Sequence, residues 1–111
     1  MELAVSQHDG VTVVQPAETR LDARAAVVFK DRMKHVIEAG QDRVVLDLSA
    51  VVFLDSSGLG AVVAAMRFLR TGQVLELVGL TPAVGRVFRL TRMDTVFTIH
   101  PGLDDALRAA A

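Results

Sequence analysis

The residues best suited to chemistry form one short polar segment, residues 55–60, with the sequence Asp-Ser-Ser-Gly-Leu-Gly. The segment follows the apolar run 51–54 and opens a stretch whose apolar residues have helical spacing, which predicts its two hydroxyls at a helix N-terminus. That end of a helix carries backbone N–H groups without intrahelical acceptors and a partial positive charge, and both favour a phosphate. We therefore expect Ser56 or Ser57 to be well placed to carry one.

The same hydroxyls could belong to an enzyme, but a catalytic serine needs a histidine aimed at it. None of His8, His35 and His100 stands at a recognisable place for that role, and the Gly-x-Ser-x-Gly pattern of a nucleophile elbow is absent. Neither the third glycine of a dinucleotide fingerprint nor a Lys-Ser or Lys-Thr pair follows the segment. The histidines are scattered and no acidic cluster accompanies them, so we expect no intrinsic catalysis, metal or cofactor.

Composition narrows the choice of partners. The chain has 111 residues, of which 51% are hydrophobic and 23% charged, so it can bury the core of a single domain over residues 1–111. Its formal net charge is −1 and no block of like charge occurs, which disfavours nucleic acid and anionic membranes as partners. Cysteine is absent, so disulfides and cysteine-based zinc sites are excluded. The start of the chain lacks a basic stretch or a long apolar run, and we expect a cytoplasmic protein.

The N-terminal half shows strand and helix patterns in alternation. Residues 3–14 alternate around Asp9-Gly10, which predicts a β-hairpin with a two-residue turn. Residues 23–39 have one apolar stripe, with Asp22 as the N-cap and Gly40 just past the end, and are predicted as a helix. Residues 43–48 form a nearly unbroken apolar run, as in a central strand covered on both faces.

The C-terminal half continues the alternation. Residues 74–78 and 96–99 are predicted as strands, and Thr81-Pro82 as the N-cap and first residue of a helix that ends near Leu90. A small helix with Leu103 and Leu107 on its apolar side follows. The whole pattern predicts an α/β fold with a mixed sheet of about four or five strands, an N-terminal antiparallel hairpin and about four helices.

The helix after the polar segment has two different sides. One side has core spacing and consists of Leu59, Val62, Val63, Met66 and Leu69. The opposite side carries small residues and one aromatic, namely Gly60, Ala61, Ala64 and Phe68. A flat, weakly polar surface of this kind suits the close approach of a partner. The alternative, that the fold itself covers the helix on both sides, is equally compatible with the sequence.

Several segments together carry a resemblance to a known family. These are Arg-Leu-Asp at 20–22, Val-Val-Leu-Asp-Leu at 44–48, Phe-Leu-Asp-Ser-Ser-Gly-Leu-Gly at 53–60 and Val-Phe-Arg-Leu-Thr at 87–91. In this combination the chain resembles the bacterial anti-sigma factor antagonists of the STAS domain family over nearly its whole length. The chain departs from the family where Arg92 stands in place of a frequent glycine after the third helix.

The resemblance implies a phosphorylation-switched interaction module. In that family the unphosphorylated protein binds an anti-sigma factor that is also a serine kinase, and phosphorylation of the serine after the motif's aspartate ends the binding. That serine is Ser56 here, with Ser57 as the second candidate. A serine/threonine phosphatase resets the switch. We also expect Asp22, Asp55, Ser57 and Gly58 to support the site, with Ser57 supporting the cap or the docking face.

Elementary electrostatics agrees with such a switch. A phosphate adds about −1.5 to −2 charge at neutral pH beside Asp55, and beside Asp22 if the two helix starts cluster. A helix N-terminus tolerates that charge, whereas an apposed partner would have to desolvate it. Three alternatives remain at this stage: serines that only cap a helix, a constitutive STAS subunit of a lipid-transport ATPase or other signalling complex, and, more distantly, a small serine hydrolase.

Overall fold

A computed structural model describes residues 1–109 as a five-stranded sheet with helices on both faces. The strands are β1 (Leu3–His8), β2 (Val11–Pro16), β3 (Arg20–Leu21), β4 (Arg43–Asp47), β5 (Phe53–Leu54), β6 (Val74–Val78) and β7 (Ile99–His100). The helices are α1 (Ala23–Ala39), α2 (Ser56–Ala65), α3 (Pro82–Leu90) and α4 (Leu103–Arg108). The main sheet has the order β1-β2-β4-β6-β7, and only the β1/β2 pair is antiparallel. The predicted α/β class, mixed sheet and four helices are confirmed.

The N-terminal hairpin has the predicted two-residue turn. Leu3 pairs with Pro16 and His8 with Val11, so the strands are in register over six residue pairs. Asp9 has φ 46° and Gly10 has φ 84°, and a tight hairpin turn of this hand requires positive φ at both central positions. Asparagine, aspartate and glycine tolerate that region best, which is why Asp-Gly marks the turn in the sequence.

Two cores of different size lie on the two faces of the sheet. The larger core packs α1, α2 and α3 against the sheet and includes the fully buried Phe29, Met33 and Phe88. The smaller core lies under α4, where Ala106 packs against valines of β2, β4 and β6. The spacing of the buried residues of α1 matches the predicted stripe, because a helix can bury only one face against a sheet.

The chain after α3 differs from the prediction. Residues 96–99 were predicted as a strand, but only Ile99–His100 pairs with β6, and a 3₁₀ turn covers Met93–Thr95. The reason is that Phe97 turns into the core and packs edge-on against Phe88, with ring centroids 6.1 Å apart, so strand alternation is interrupted. Arg92 has φ 60°, in the left-handed region that favours glycine, so the backbone here has the conformation for which the resemblance predicts a glycine.

The start of α3 also differs in detail. Thr81 precedes the helix as predicted, but its hydroxyl makes no capping hydrogen bond. The hydroxyl donates instead to the backbone carbonyl of Val51, at 2.7 Å. This bond ties α3 to the loop before β5, and Pro82 at the first helical position removes one of the N–H groups that a cap would have satisfied.

Candidate functional site

The predicted polar segment forms the start of α2. Asp55 is the N-cap, with extended backbone, and its Oδ1 accepts a hydrogen bond from the Gly58 amide at 2.9 Å. Ser56 is the first residue of the helix, and both Ser56 and Ser57 are exposed. The hydroxyls therefore lie beside first-turn N–H groups that have no intrahelical acceptor.

The Asp55 carboxylate caps a second helix as well. Its Oδ2 accepts a hydrogen bond from the amide of Ala23, the first residue of α1, at 3.2 Å. Asp22 caps α1 in the usual way, because its Oδ1 accepts from the amides of Arg24 and Ala25 at 3.1 and 3.3 Å. The N-termini of α1 and α2 thus meet, and their two partial positive charges act on the same place.

A two-stranded parallel sheet brings these helix starts together. β3 pairs with β5, Arg20 opposite Phe53 and Leu21 opposite Leu54, and the Asp55 amide donates to the Leu21 carbonyl at 3.3 Å. Both strands run in the same direction, so the residues that follow them come out at the same edge. The sequence did not predict this pair, since two residues are too few for any periodicity to show.

Gly58 allows α2 to pass close to β3. A Cβ at this position would lie 1.9 Å from the Leu21 carbonyl oxygen, a distance that no side chain can occupy. The close approach of α2 to β3 therefore requires a glycine at this position. Gly60 differs, because nothing lies within 4 Å of a Cβ added there.

An exposed aromatic residue lies next to the site. Phe53 is 38% exposed, and the Arg20 guanidinium lies 4.0 Å from its ring centroid. The same guanidinium is 3.7 Å from Asp22 Oδ2 through its Nε. Both residues belong to the segments that carry the family resemblance, but sequence reasoning gave neither of them a role.

The expected docking side of α2 is largely covered. Gly60 is exposed, but Ala61 and Ala64 are only 5% and 8% exposed and Phe68 packs against the larger core. Ala61 and Ala64 therefore offer little open surface, as the alternative of cover by the fold itself has it, and partner binding at Gly60, Ala61, Ala64 and Phe68 stays a prediction. The physical reason is that small side chains let α1 approach closely.

A second polar cluster lies under α4, on the other face of the sheet. Arg43 makes a bidentate ion pair with Glu76, at 2.7 and 2.9 Å, and donates a third bond to the Ala106 carbonyl at 2.9 Å. Glu76 Oε1 also lies 2.7 Å from His100 Nε2. The hydrogen bonds from Arg43, followed by the one from His100, lower the pKa of Glu76 against the opposing effect of burial, and the hydrogen bonding to Glu76 raises the pKa of Arg43.

Two of the histidines make their contacts elsewhere than at Ser56 and Ser57. His100 belongs to the cluster around Glu76, and His8 Nε2 lies 3.0 Å from the Ser6 hydroxyl. Within residues 1–109, no group of three or more histidine, cysteine, aspartate or glutamate side chains is arranged to hold a metal ion. In the same part of the chain, every helix is too short or too polar to cross a membrane.

The sequence matches one family over almost its whole length. The STAS domain family model covers residues 2–106. The anti-sigma F factor antagonist of Paenibacillus polymyxa is 27% identical over 111 aligned residues, covering 98% of this chain and 92% of that protein.

Solved structures give the same result. An anti-sigma factor antagonist from Mycobacterium paratuberculosis has a TM-score of 0.85 and 35% identity, covering 96% of this chain and 90% of that chain. The Bacillus cell fate determinant SpoIIAA in its phosphorylated form shares the fold, with a TM-score of 0.66, 18% identity and 96% of each chain covered. With its β-hairpin, its mixed sheet and its Asp-Ser-Ser-Gly helix start, this chain belongs to the STAS domain family.

Proposed function

We propose that the protein is an anti-sigma factor antagonist whose binding to an anti-sigma factor is switched by phosphorylation of Ser56. The observation that carries the proposal is the double cap of Asp55, which holds two helix N-termini beside an exposed serine. The antagonist names of the Paenibacillus and Mycobacterium relatives support the partner class. The phosphorylated form of SpoIIAA shows that this fold accommodates a phosphate.

Each residue of the site has a proposed role. Ser56 is the acceptor, because it is exposed and its side chain leaves the helix at the first turn. Asp55 fixes the position of the helix start, and Asp22 does the same for α1. Ser57 and Gly60 provide exposed surface for the partner, while Gly58 sets the distance between α2 and β3.

The proposed partner is both ligand and enzyme. The proposed partner is an anti-sigma factor with serine kinase activity that binds ATP. The Ser56 Oγ attacks the γ-phosphorus of this ATP and ADP leaves, while a base of the kinase takes the hydroxyl proton. A serine/threonine phosphatase later hydrolyses the ester with water and releases inorganic phosphate. The STAS protein supplies only the acceptor and the docking surface, so we propose that it has no catalytic activity of its own.

Electrostatics accounts for release. The phosphate would add about −1.5 to −2 charge next to the carboxylates of Asp22 and Asp55. Within the fold, the N–H groups of two helix starts offset this charge. An apposed partner would have to desolvate it, and about 3 kcal/mol of such cost weakens binding roughly a hundredfold.

The proposal is tested by reconstitution. The purified protein is incubated with candidate anti-sigma kinases and ATP, and the phosphate is located by mass spectrometry, with Ser56→Ala and Ser57→Ala as matched controls. We expect one phosphate, on Ser56, that is lost only in Ser56→Ala. A stable complex with a transport ATPase and no phosphate on either serine would favour a constitutive subunit. Hydrolysis of activated esters that disappears in a serine variant would show an enzyme.

A further inference from the structure

A small groove runs between α1 and α2, and one of its lining residues, Ser57, follows the proposed phosphorylation site Ser56 in the chain. It has a volume of about 230 Å³, and Ser57 lies at one end of it. Its floor consists of Ala26, Ala61 and Ala64 with the open Gly60 beside them. A side chain of a partner that enters here would meet no bulky group, so the groove is continuous with the surface that Ser56 would control.

The charges that line this groove are both positive. Lys30 of α1 and Arg67 of the turn after α2 are exposed, and no other lining residue is charged. Within the described residues neither forms an ion pair, whereas Arg20 and Arg70 do so with neighbouring aspartates. The groove therefore has a basic rim although the net charge of the chain is −1.

One apolar residue completes the rim. Val27 lines the groove from α1 and is 71% exposed, the second most exposed large hydrophobic side chain of the described part after Leu90. With Val27 beside the two cations, the rim offers a partner both apolar and charged surface, the two kinds of surface that protein interfaces combine.

We propose that the basic groove, defined by Val27, Lys30, Gly60 and Arg67, binds an acidic segment of the protein partner in which small apolar residues are flanked by carboxylates. This inference rests on the proposed function and adds the chemistry of the partner. Ser57 lines the end of the groove, and Ser56 directly precedes it in the chain. A phosphate on Ser56 would therefore lie near the partner's carboxylates and carry a charge of the same sign. Repulsion would then add to desolvation in ending the binding.

The test uses two synthetic probes rather than the partner itself. One is a short alanine-based helical peptide with glutamates flanking the alanine face, and the other has lysines in their place. Amide shifts of the ¹⁵N-labelled protein are followed during titration, with inorganic phosphate as a separate control. We expect the acidic peptide to shift Val27, Ser57 and Gly60, and the basic peptide and phosphate to leave them unchanged.

Charge reversal makes the test specific. In Lys30→Glu/Arg67→Glu the acidic peptide should bind about tenfold more weakly and the basic peptide should now shift the groove amides. The matched control Arg32→Glu/Arg86→Glu, which has the same change in net charge at exposed residues outside the groove, should behave as the wild type.

Three results would overturn the inference: no groove shifts with the acidic peptide, equal shifts with both peptides, or equal shifts with inorganic phosphate. These results are independent of the reconstitution with kinase and ATP. Phosphorylation of Ser56 without groove binding would refute only the acidic partner, and groove binding without phosphorylation would refute only the switch.

Discussion

Two polar clusters of this protein lie in opposite layers of the fold and are built differently. At the helix starts, carboxylates accept hydrogen bonds from backbone amides, and the serine hydroxyls stay exposed. Under α4, Arg43 and His100 both bind Glu76, and the three side chains are almost buried. A cluster whose charges are paired with one another is a structural element, whereas one that leaves N–H groups and hydroxyls facing solvent can receive a new charge.

The comparison predicts that the buried cluster dominates stability. Glu76→Gln should lower the free energy of unfolding by about 3 to 5 kcal/mol, because the Arg43 charge stays buried without its counter-ion. Urea denaturation at neutral pH measures this loss. Glu38→Gln, at an exposed position of α1, is the control and should change stability by less than about 0.5 kcal/mol.

The same variant should also change how the free energy of unfolding depends on pH. The folded pKa of Glu76 lies below its ordinary value of 4.5, so its stabilisation is complete above that value and is lost as the pH falls through the folded pKa. As the pH falls from about 5 through the folded pKa of Glu76, we expect the wild type to lose more stability than Glu76→Gln. Identical acid profiles of the two proteins would show that Glu76 is not held in the ionised form by Arg43 and His100.

Another prediction concerns the close contact between α2 and β3 at the helix-start cluster. Gly58→Ala should cost about 3 kcal/mol or more, because the new Cβ cannot fit against the Leu21 carbonyl without moving α2 away from β3. Gly60→Ala is the matched control on the same helix and should raise stability by up to about 1 kcal/mol, since its Cβ meets open space. Thermal denaturation followed by circular dichroism compares the two. A neutral Gly58→Ala would contradict the close packing of α2 on β3.

A smaller effect is expected at the shared cap. Asp55→Ala removes the acceptor of two helix-start amides, of Gly58 and Ala23, and should cost about 1 to 2 kcal/mol. Asp22→Ala removes the acceptor of two amides of α1 and leaves α2 capped, so it should cost a similar amount of stability but slow phosphorylation less. If both variants lost stability equally but kept the wild-type rate of Ser56 phosphorylation, Asp55 would be an ordinary cap without a role in positioning.

Periodicity and turn chemistry were enough to predict most elements of the fold. The Asp-Gly turn, the stripe of α1 and the apolar run of β4 are local features, and each was confirmed. The segment before β7 was predicted wrongly because Phe97 packs on Phe88 through tertiary contact, which overrides local alternation. Local patterns therefore fail where one distant contact decides the conformation.

The candidate site likewise has features that local sequence patterns predict and features that depend on tertiary contacts. The Asp-Ser-Ser-Gly helix start was predicted from the sequence, including a phosphate-compatible N-terminus. Its double cap was not, because the β3/β5 pair that joins Ala23 to Asp55 leaves no pattern. How far the docking side is open could not be predicted for a related reason: small residues such as Ala61 and Ala64 indicate close packing but do not say whether the neighbour is a partner or another helix of the same chain.

The most direct test of the switch compares one protein in two states. The dissociation constant for the cognate anti-sigma kinase is measured for unmodified and for Ser56-phosphorylated protein, and the melting temperature of each form is recorded beside it. We expect phosphorylation to weaken binding about a hundredfold and to leave the melting temperature nearly unchanged. Equal affinities would contradict the account, and so would a loss of binding that accompanies unfolding.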